Sequence, residues 1–355
     1  MGLFEEMLKP GETLFKDEIA LDYGYLPKLM PFRETEQRKV AFAIKPLLEG
    51  RNGKTLFIYG PPGIGKTAAI KHVLRDLENE TDEVIPIYIN CWKFNSTFQI
   101  LQEMCHWVDY KFTQNKDKDE LLKVVKNVLN KKSAVLVFDE VDKLNDVDFF
   151  YMIGEEIRRR TVILITNYKI WLTDLDERIR SRISPELIEF KQYNEKETYE
   201  ILKQRREYAF MSNIWDEIAF KKIADKTSQL KDIRSGLFLM REAGLAAEER
   251  ASKKIESRDV DLALKKFDDF SFKDEKELKE DDNAFLDLIK NNSGIKIGEL
   301  FIKYQEAGGK LSYKSIQRKI KRLHDNGFIT AKTINDGKGR TTIVEFSVEK
   351  KLTDF

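Results

Sequence analysis

Apolar residues fall along this chain in two rhythms. Between residues 25 and 190, short uninterrupted apolar runs alternate with stretches of helical period. That is the pattern of strands buried on both faces of a parallel sheet and joined by helices. The runs predict strands at residues 55–59, 84–89, 134–138, 162–166 and 187–190, with a helix over 68–77. From 194 to 267 the period is helical throughout; Asn194 with Glu197 forms a capping box, and Ser257 with Asp259 opens another helix. Residues 268–277 are almost all charged or aromatic, and the charge predicts a linker. Helices are then expected at 283–291, 297–307 and 312–326, stopped by Gly308-Gly309 and Gly327. Strands at 328–334 and 341–348 follow, joined by a Gly-rich basic tip. Three helices and a hairpin are the winged-helix form of the helix-turn-helix. The predicted organisation is an N-terminal segment (1–24), an α/β base (25–191), a helical domain (192–270), a linker (271–282) and a winged helix (283–355).

Composition narrows this little. A chain of 355 residues, 41% hydrophobic, has material for two or three cores. No apolar run approaches the ~20 residues of a membrane span, and the first residues lack a basic and apolar leader, so a cytoplasmic, nucleoid-associated protein with no membrane partner is expected. Cys91 and Cys105 are the only cysteines, too few for a disulfide framework or zinc site, and read as core residues. His72, His106 and His324 have no metal-ligand spacing, and Trp92, Trp107, Trp171 and Trp215 are expected to pack.

The chemistry is concentrated in motifs. Gly60-Pro61-Pro62-Gly63-Ile64-Gly65-Lys66-Thr67 fits G-x-x-x-x-G-K-[ST] between a predicted strand and helix. In that setting, backbone N–H groups from Gly60 to Ala68 surround phosphates at a helix N-terminus. Lys66 reaches the β- and γ-phosphates and Thr67 ligates Mg²⁺, so ATP/ADP with Mg²⁺ is the expected ligand. The strand over 134–138 ends in Asp139-Glu140. Asp139 is expected to hold the metal through water, and Glu140 to act on the attacking water. Asn167, after the strand over 162–166, is placed to position that water, as sensor 1. Arg178 and Arg182 are candidate arginine fingers acting on a neighbouring subunit, with no basis for choosing between them. Arg234, at the start of a helix in the helical domain, fits sensor 2, which reaches the γ-phosphate from a lid.

The total charge is +1, yet residues 301–355 carry twelve Lys and Arg against six Asp and Glu. Lys314, Gln317, Arg318, Lys321 and Arg322 recur at three- and four-residue spacing and share a face, while Ile316, Ile320 and Leu323 turn inward. Arg and Gln read base edges and Lys contacts phosphates; Lys338 and Arg340 at the wing tip are placed for the minor groove. Such a face also serves in protein contacts. The basic excess favours duplex DNA.

Taken together, these motifs resemble the AAA+ ATPases, and among them the archaeal initiators related to the large subunit of the eukaryotic origin recognition complex. The resemblance covers nearly the whole chain. It implies that the stretch from Tyr25-Leu26 to Arg33-Glu34 packs on adenine, and that Tyr193 and Arg205 contact nucleotide. The helix-loop-helix after Tyr88-Ile89-Asn90-Cys91 is similar to an insertion that touches DNA in that family. The family usually has Gly where Lys231 precedes Asp232-Ile233-Arg234, so a changed lid geometry is expected. The implied function is ATP-dependent replication initiation: slow hydrolysis used as a switch, origin DNA, the replicative helicase and homologous initiator subunits as partners. A P-loop transcription or signalling regulator with a promoter-binding winged helix, and a loader acting mainly on proteins, are the competing readings.

Overall fold

The computed structural model describes residues 13–309, 311–325, 329–335 and 340–346. Five strands, β1 (Leu56–Tyr59), β2 (Val84–Asn90), β3 (Ser133–Asp139), β4 (Arg160–Thr166) and β5 (Glu186–Glu189), form one sheet in the order β2-β3-β4-β1-β5. Every pairing is parallel. All five runs read from the sequence are therefore strands, each within two residues of the expected bounds. They are apolar throughout because both faces are covered. Val135, Val137, Ile163 and Ile165 pack beneath α1 (Glu34–Leu48) and α2 (Lys66–Glu80). Leu136, Phe138, Val162 and Leu164 face α3 (Thr97–Trp107), α4 (Lys118–Leu129) and α5 (Asp148–Glu156). The short α6 (Trp171–Asp174) and α7 (Glu177–Ile183) lead from β4 back to β5. The register that sets Tyr59 beside Thr166 and Asp139 beside Ile165 brings the carboxyl ends of β1, β3 and β4 together, where ligands of such sheets bind.

Three helices follow: α8 (Glu195–Ala209), α9 (Glu217–Leu230) and α10 (Ile233–Glu249). The capping box of Asn194 and Glu197 is present, each side chain meeting the other's backbone N–H at 2.9 Å. Leu14 and Phe15 join this helical core, with Phe15 4.8 Å from Phe210. Lys231, between α9 and α10, takes the left-handed φ of 56°. The backbone form that glycine would supply is thus kept at this residue.

The chain divides into two compact units, Met1–Leu264 and Lys265–Phe355, and the division falls within α11 (Ser257–Asn291). The stretch expected as a linker, 271–282, is helical. Lys and Glu are strong helix formers and α11 contains neither Gly nor Pro, so the charged stretch carries the helix on. The second unit continues with β6 (Ile295–Lys296), α12 (Ile297–Glu306), α13 (Tyr313–Asp325), β7 (Ile329–Asn335) and β8 (Arg340–Phe346). Its strands form an antiparallel sheet in the order β6-β8-β7. Phe285, Ile289, Leu300, Ile316, Ile320 and Leu323 make its core, so the inward face predicted for α13 is the buried one. Among the described residues no helix is long and apolar enough to cross a membrane.

Candidate functional site

The phosphate loop leaves β1 at Gly60, whose φ is 150° and whose missing Cβ would stand 2.3 Å from the Phe190 carbonyl oxygen. Gly63 and Gly65 hold φ of 71° and 84°, and Gly65 caps α2. A Cβ on Gly63 would sit 2.0 Å from Asp232 Oδ1, so only glycine allows α10 to approach. There Ile233 N–H donates to the Gly63 carbonyl at 3.2 Å, tying the lid to the loop.

Lys66 is 7% exposed. Its ammonium donates to Gly60 O and Pro61 O at 2.7 Å and to Asn167 Oδ1 at 2.8 Å. Burial lowers its pKa to about 8, against the opposing pull of Asp139. Asp139 Oδ2 accepts from the Thr67 hydroxyl at 2.6 Å and from the Tyr88 hydroxyl at 2.7 Å. Glu140 sits beyond it in the left-handed region, at φ 57°. Burial first, then Asp139 and Asp142, raise its pKa. A non-glycine residue held there stores backbone strain of the kind found at working sites.

These groups line a cavity of about 460 Å³ with Asn90, Thr166, Asn167, Tyr193, Arg205 and Arg234. From Pro62 to Ala68 the phosphate loop is part of its wall, and Tyr23, Pro27, Leu29, Met30, Ile201 and Leu237 also line it. A lining of polar, cation-bearing groups together with apolar side chains suits a nucleotide. Arg234 donates to Asp232 at 2.6 Å, and that carboxylate raises its pKa. Arg205 is buried; it donates to Ala20 O and Tyr25 O at 3.1 and 3.3 Å and lies over the Tyr25 ring. It thereby holds the N-terminal segment against the helical domain as well as lining the cavity.

Several expected residues lie off the wall. Gly60 and Pro61 turn their carbonyls to Lys66, and Tyr25 and Leu26 are not lining residues. Arg33 is buried behind the loop, donating to Ile64 O and Lys191 O. Arg178 and Arg182 also stand away from it. The Arg178 side chain is 90% exposed and donates to Asp176, while Arg182 pairs with Glu155 and lies 4.8 Å over Tyr151.

Sequence reasoning missed Tyr88, Asp142 and Asp232. Tyr88 stood in a strand expected to be core, yet its hydroxyl reaches Asp139 and its ring carries Lys71 Nζ at 4.3 Å. Asp142 accepts from Thr166 at 2.8 Å. The polar end of β2 was the available signal, and Asn90 there does line the cavity. Two tryptophans also differ from expectation. Trp171 and Trp215 pack on aromatic neighbours, but Trp92, in the turn after β2, and Trp107, the last residue of α3, are 66% and 43% exposed. Cys91 and Cys105 are buried, as expected.

On α13, Lys314, Gln317, Arg318 and Lys321 are exposed on the face opposite the core. Arg322 lies on the same helix and Arg340 begins β8; their side chains, and Lys338 entirely, fall outside the described residues.

The family comparisons agree with this geometry. An AAA domain model matches residues 50–167, and a Cdc6 AAA+ ATPase-type lid domain model matches 199–265. The ORC1-type DNA replication protein 2 of Methanosarcina acetivorans is 28% identical over 95% of this chain and 94% of its own length. The ORC1-type DNA replication protein of Pyrococcus abyssi is 29% identical over 98% and 90%. The fold is that of the Aeropyrum pernix ORC1 protein solved in complex with DNA, with a TM-score of 0.68 at 23% identity over 94% of each chain. The phosphate loop and the acidic strand end fall within the matched AAA domain and the lid helix within the matched Cdc6-type lid domain, and together with the relatives these matches support the archaeal Orc1/Cdc6 family of AAA+ ATPases.

Proposed function

We propose that this protein initiates DNA replication. It binds duplex DNA at an origin, assembles there with homologous initiator subunits and recruits or loads the replicative helicase, with ATP as a slowly hydrolysed conformational switch. The relatives named ORC1-type DNA replication proteins and the DNA-bound ORC1 structure support the reading. The observation that carries it is the convergence of Lys66, Asp139, Glu140, Asn167 and Arg234 on one cavity, in a chain whose second unit presents an exposed basic helix face.

The triphosphate enters at the N-terminus of α2, among N–H groups that the positive-φ glycines leave accessible. Lys66 exchanges its two carbonyl partners for phosphate oxygens while keeping Asn167. Glu140, made more basic by its surroundings, takes the proton of the attacking water, which Asn167 orients. Thr67 Oγ1 and Asp139 Oδ2, 2.6 Å apart, are hard oxygen donors suited to Mg²⁺ arriving with a nucleotide. The ion supplies charge neutralisation on the phosphates. Arg234 approaches the γ-phosphate from α10. Because α10 is hydrogen-bonded to Gly63, occupancy of the phosphate loop and the position of the lid are coupled. Arg178 and Arg182, away from their own cavity, act on a neighbouring subunit's nucleotide; Arg178 is the freer of the two. The test is genome-wide mapping of the bound protein. Occupancy at the sites where replication begins supports initiation, whereas occupancy at scattered promoters would replace it with transcriptional regulation.

A further inference from the structure

Arg33 lies behind the phosphate loop, 4% exposed. Its Nε and Nη2 both donate to the Ile64 carbonyl, at 3.3 and 3.1 Å. Nη2 also donates to Lys191 O at 2.7 Å, and Nη1 to Glu36 at 3.2 Å. The guanidinium lies 3.9 Å over the Tyr193 ring and 5.1 Å from that of Phe190. The chain reaches this position through a left-handed turn at Phe32, φ 65°, an unfavourable conformation for a bulky residue. Strain, a buried charge and three bonds to backbone carbonyl oxygens are thus committed to one side chain.

The held carbonyl belongs to the peptide between Ile64 and Gly65. That segment is flanked by Gly63 and Gly65, both at positive φ, and glycine resists rotation of its peptide weakly. A trans peptide points its C=O and N–H in opposite directions. With the Ile64 oxygen fixed on Arg33, the Gly65 N–H turns to the other side, where Gly65 and Lys66 line the cavity. A flipped peptide would present an oxygen to the phosphates instead of a donor.

We propose that Arg33 is a positioning residue for the phosphate site, locking the Ile64–Gly65 peptide so that its N–H faces the triphosphate. The proposal deepens the nucleotide-binding reading and rests on it; it places Arg33 with the phosphates rather than the adenine. The full chain is to be compared as wild type, Arg33→Lys, Arg33→Gln and Glu36→Gln, by ATP titration and by amide exchange with and without saturating ATP. Both Arg33 variants are expected to lose tenfold or more in ATP affinity, since an ammonium is a point donor and cannot reproduce the fork. At saturation, residues 60–67 should stay poorly protected in them while 25–31 gain wild-type protection. Glu36→Gln should bind within twofold of wild type. Wild-type ATP affinity in Arg33→Lys and Arg33→Gln, or equal loss of protection in both segments, would overturn the proposal. So would failure of both variants to fold, which would make Arg33 a core residue only. A wild-type chain that binds no ATP would bring down the nucleotide reading itself.

Discussion

Cations are used in opposite ways at the two ends of the chain. Around the cavity Arg33, Lys66 and Arg205 are 4%, 7% and 9% exposed, and each is aimed at named carbonyl oxygens. On α13, Lys314, Arg318 and Lys321 stand on an exposed face whose spacing, more than any single contact, defines it. A buried cation has one geometry and is costly to misplace. An exposed one is solvated, screened by salt and acts with its neighbours in roughly additive fashion. The first kind makes a site specific at the level of an atom, and the second makes a surface.

The largest expected effect follows from that contrast. Lys66→Ala removes the donor to the phosphates and should abolish measurable ATP binding, leaving DNA affinity at low salt within a few fold of wild type. Glu140→Gln should retain binding and lose hydrolysis; equilibrium titration and phosphate release separate the two. A Lys66→Ala protein that still bound ATP, or a Glu140→Gln protein with wild-type turnover, would dissolve the assignment of roles in the cavity.

On the second unit, Arg318→Ala should weaken preferred duplexes by about 1–3 kcal/mol if the side chain reads a base. Lys314→Ala should weaken all duplexes alike and lower the slope of log affinity against log salt by about one. Salt titrations of the full chain on two DNA sequences distinguish these outcomes. Equal, salt-independent losses would show that the basic face behaves like the buried site and not like a surface.

Protonation sharpens the comparison further. Burial holds Lys66 at about 8, below its ordinary 10.5. Between those values the unfolded chain binds the proton more tightly, so the stability of the nucleotide-free protein should rise as pH increases from 8 towards 10.5. Bound phosphate favours the charged ammonium, so ATP affinity should move the opposite way, falling by up to about tenfold per pH unit above 8, with proton uptake on binding. Calorimetry in buffers of different ionisation enthalpy measures this, and an affinity flat from pH 7 to 9 would contradict it. The smallest effect concerns the turn between α9 and α10. Lys231→Gly places glycine at φ 56°; relief of the left-handed strain, set against the greater freedom of the unfolded glycine, should leave stability higher by less than about 1 kcal/mol in thermal unfolding.

Much of this was legible in the sequence because it is local. A buried parallel strand needs a continuous apolar run, a phosphate loop needs glycine at positive φ and a lysine at fixed spacing, and a capping box needs Asn194 three residues before Glu197. Each requirement is met within a few consecutive residues. Even the inward stripe of α13 is fixed by the helical period alone. What the sequence left open depends on residues far apart in the chain. Tyr88 meets Asp139 only because β2 pairs with β3, and Asp232 meets Gly63 only because the helical domain folds back on the loop. Arg33 reaches Ile64 and Lys191 because the entry to α1, the phosphate loop and the exit of β5 converge. Whether Trp92 and Trp107 are covered likewise turned on packing and context rather than residue type. Periodicity and backbone requirements are properties of a segment, whereas a contact between segments exists only once the sheet has set their distance.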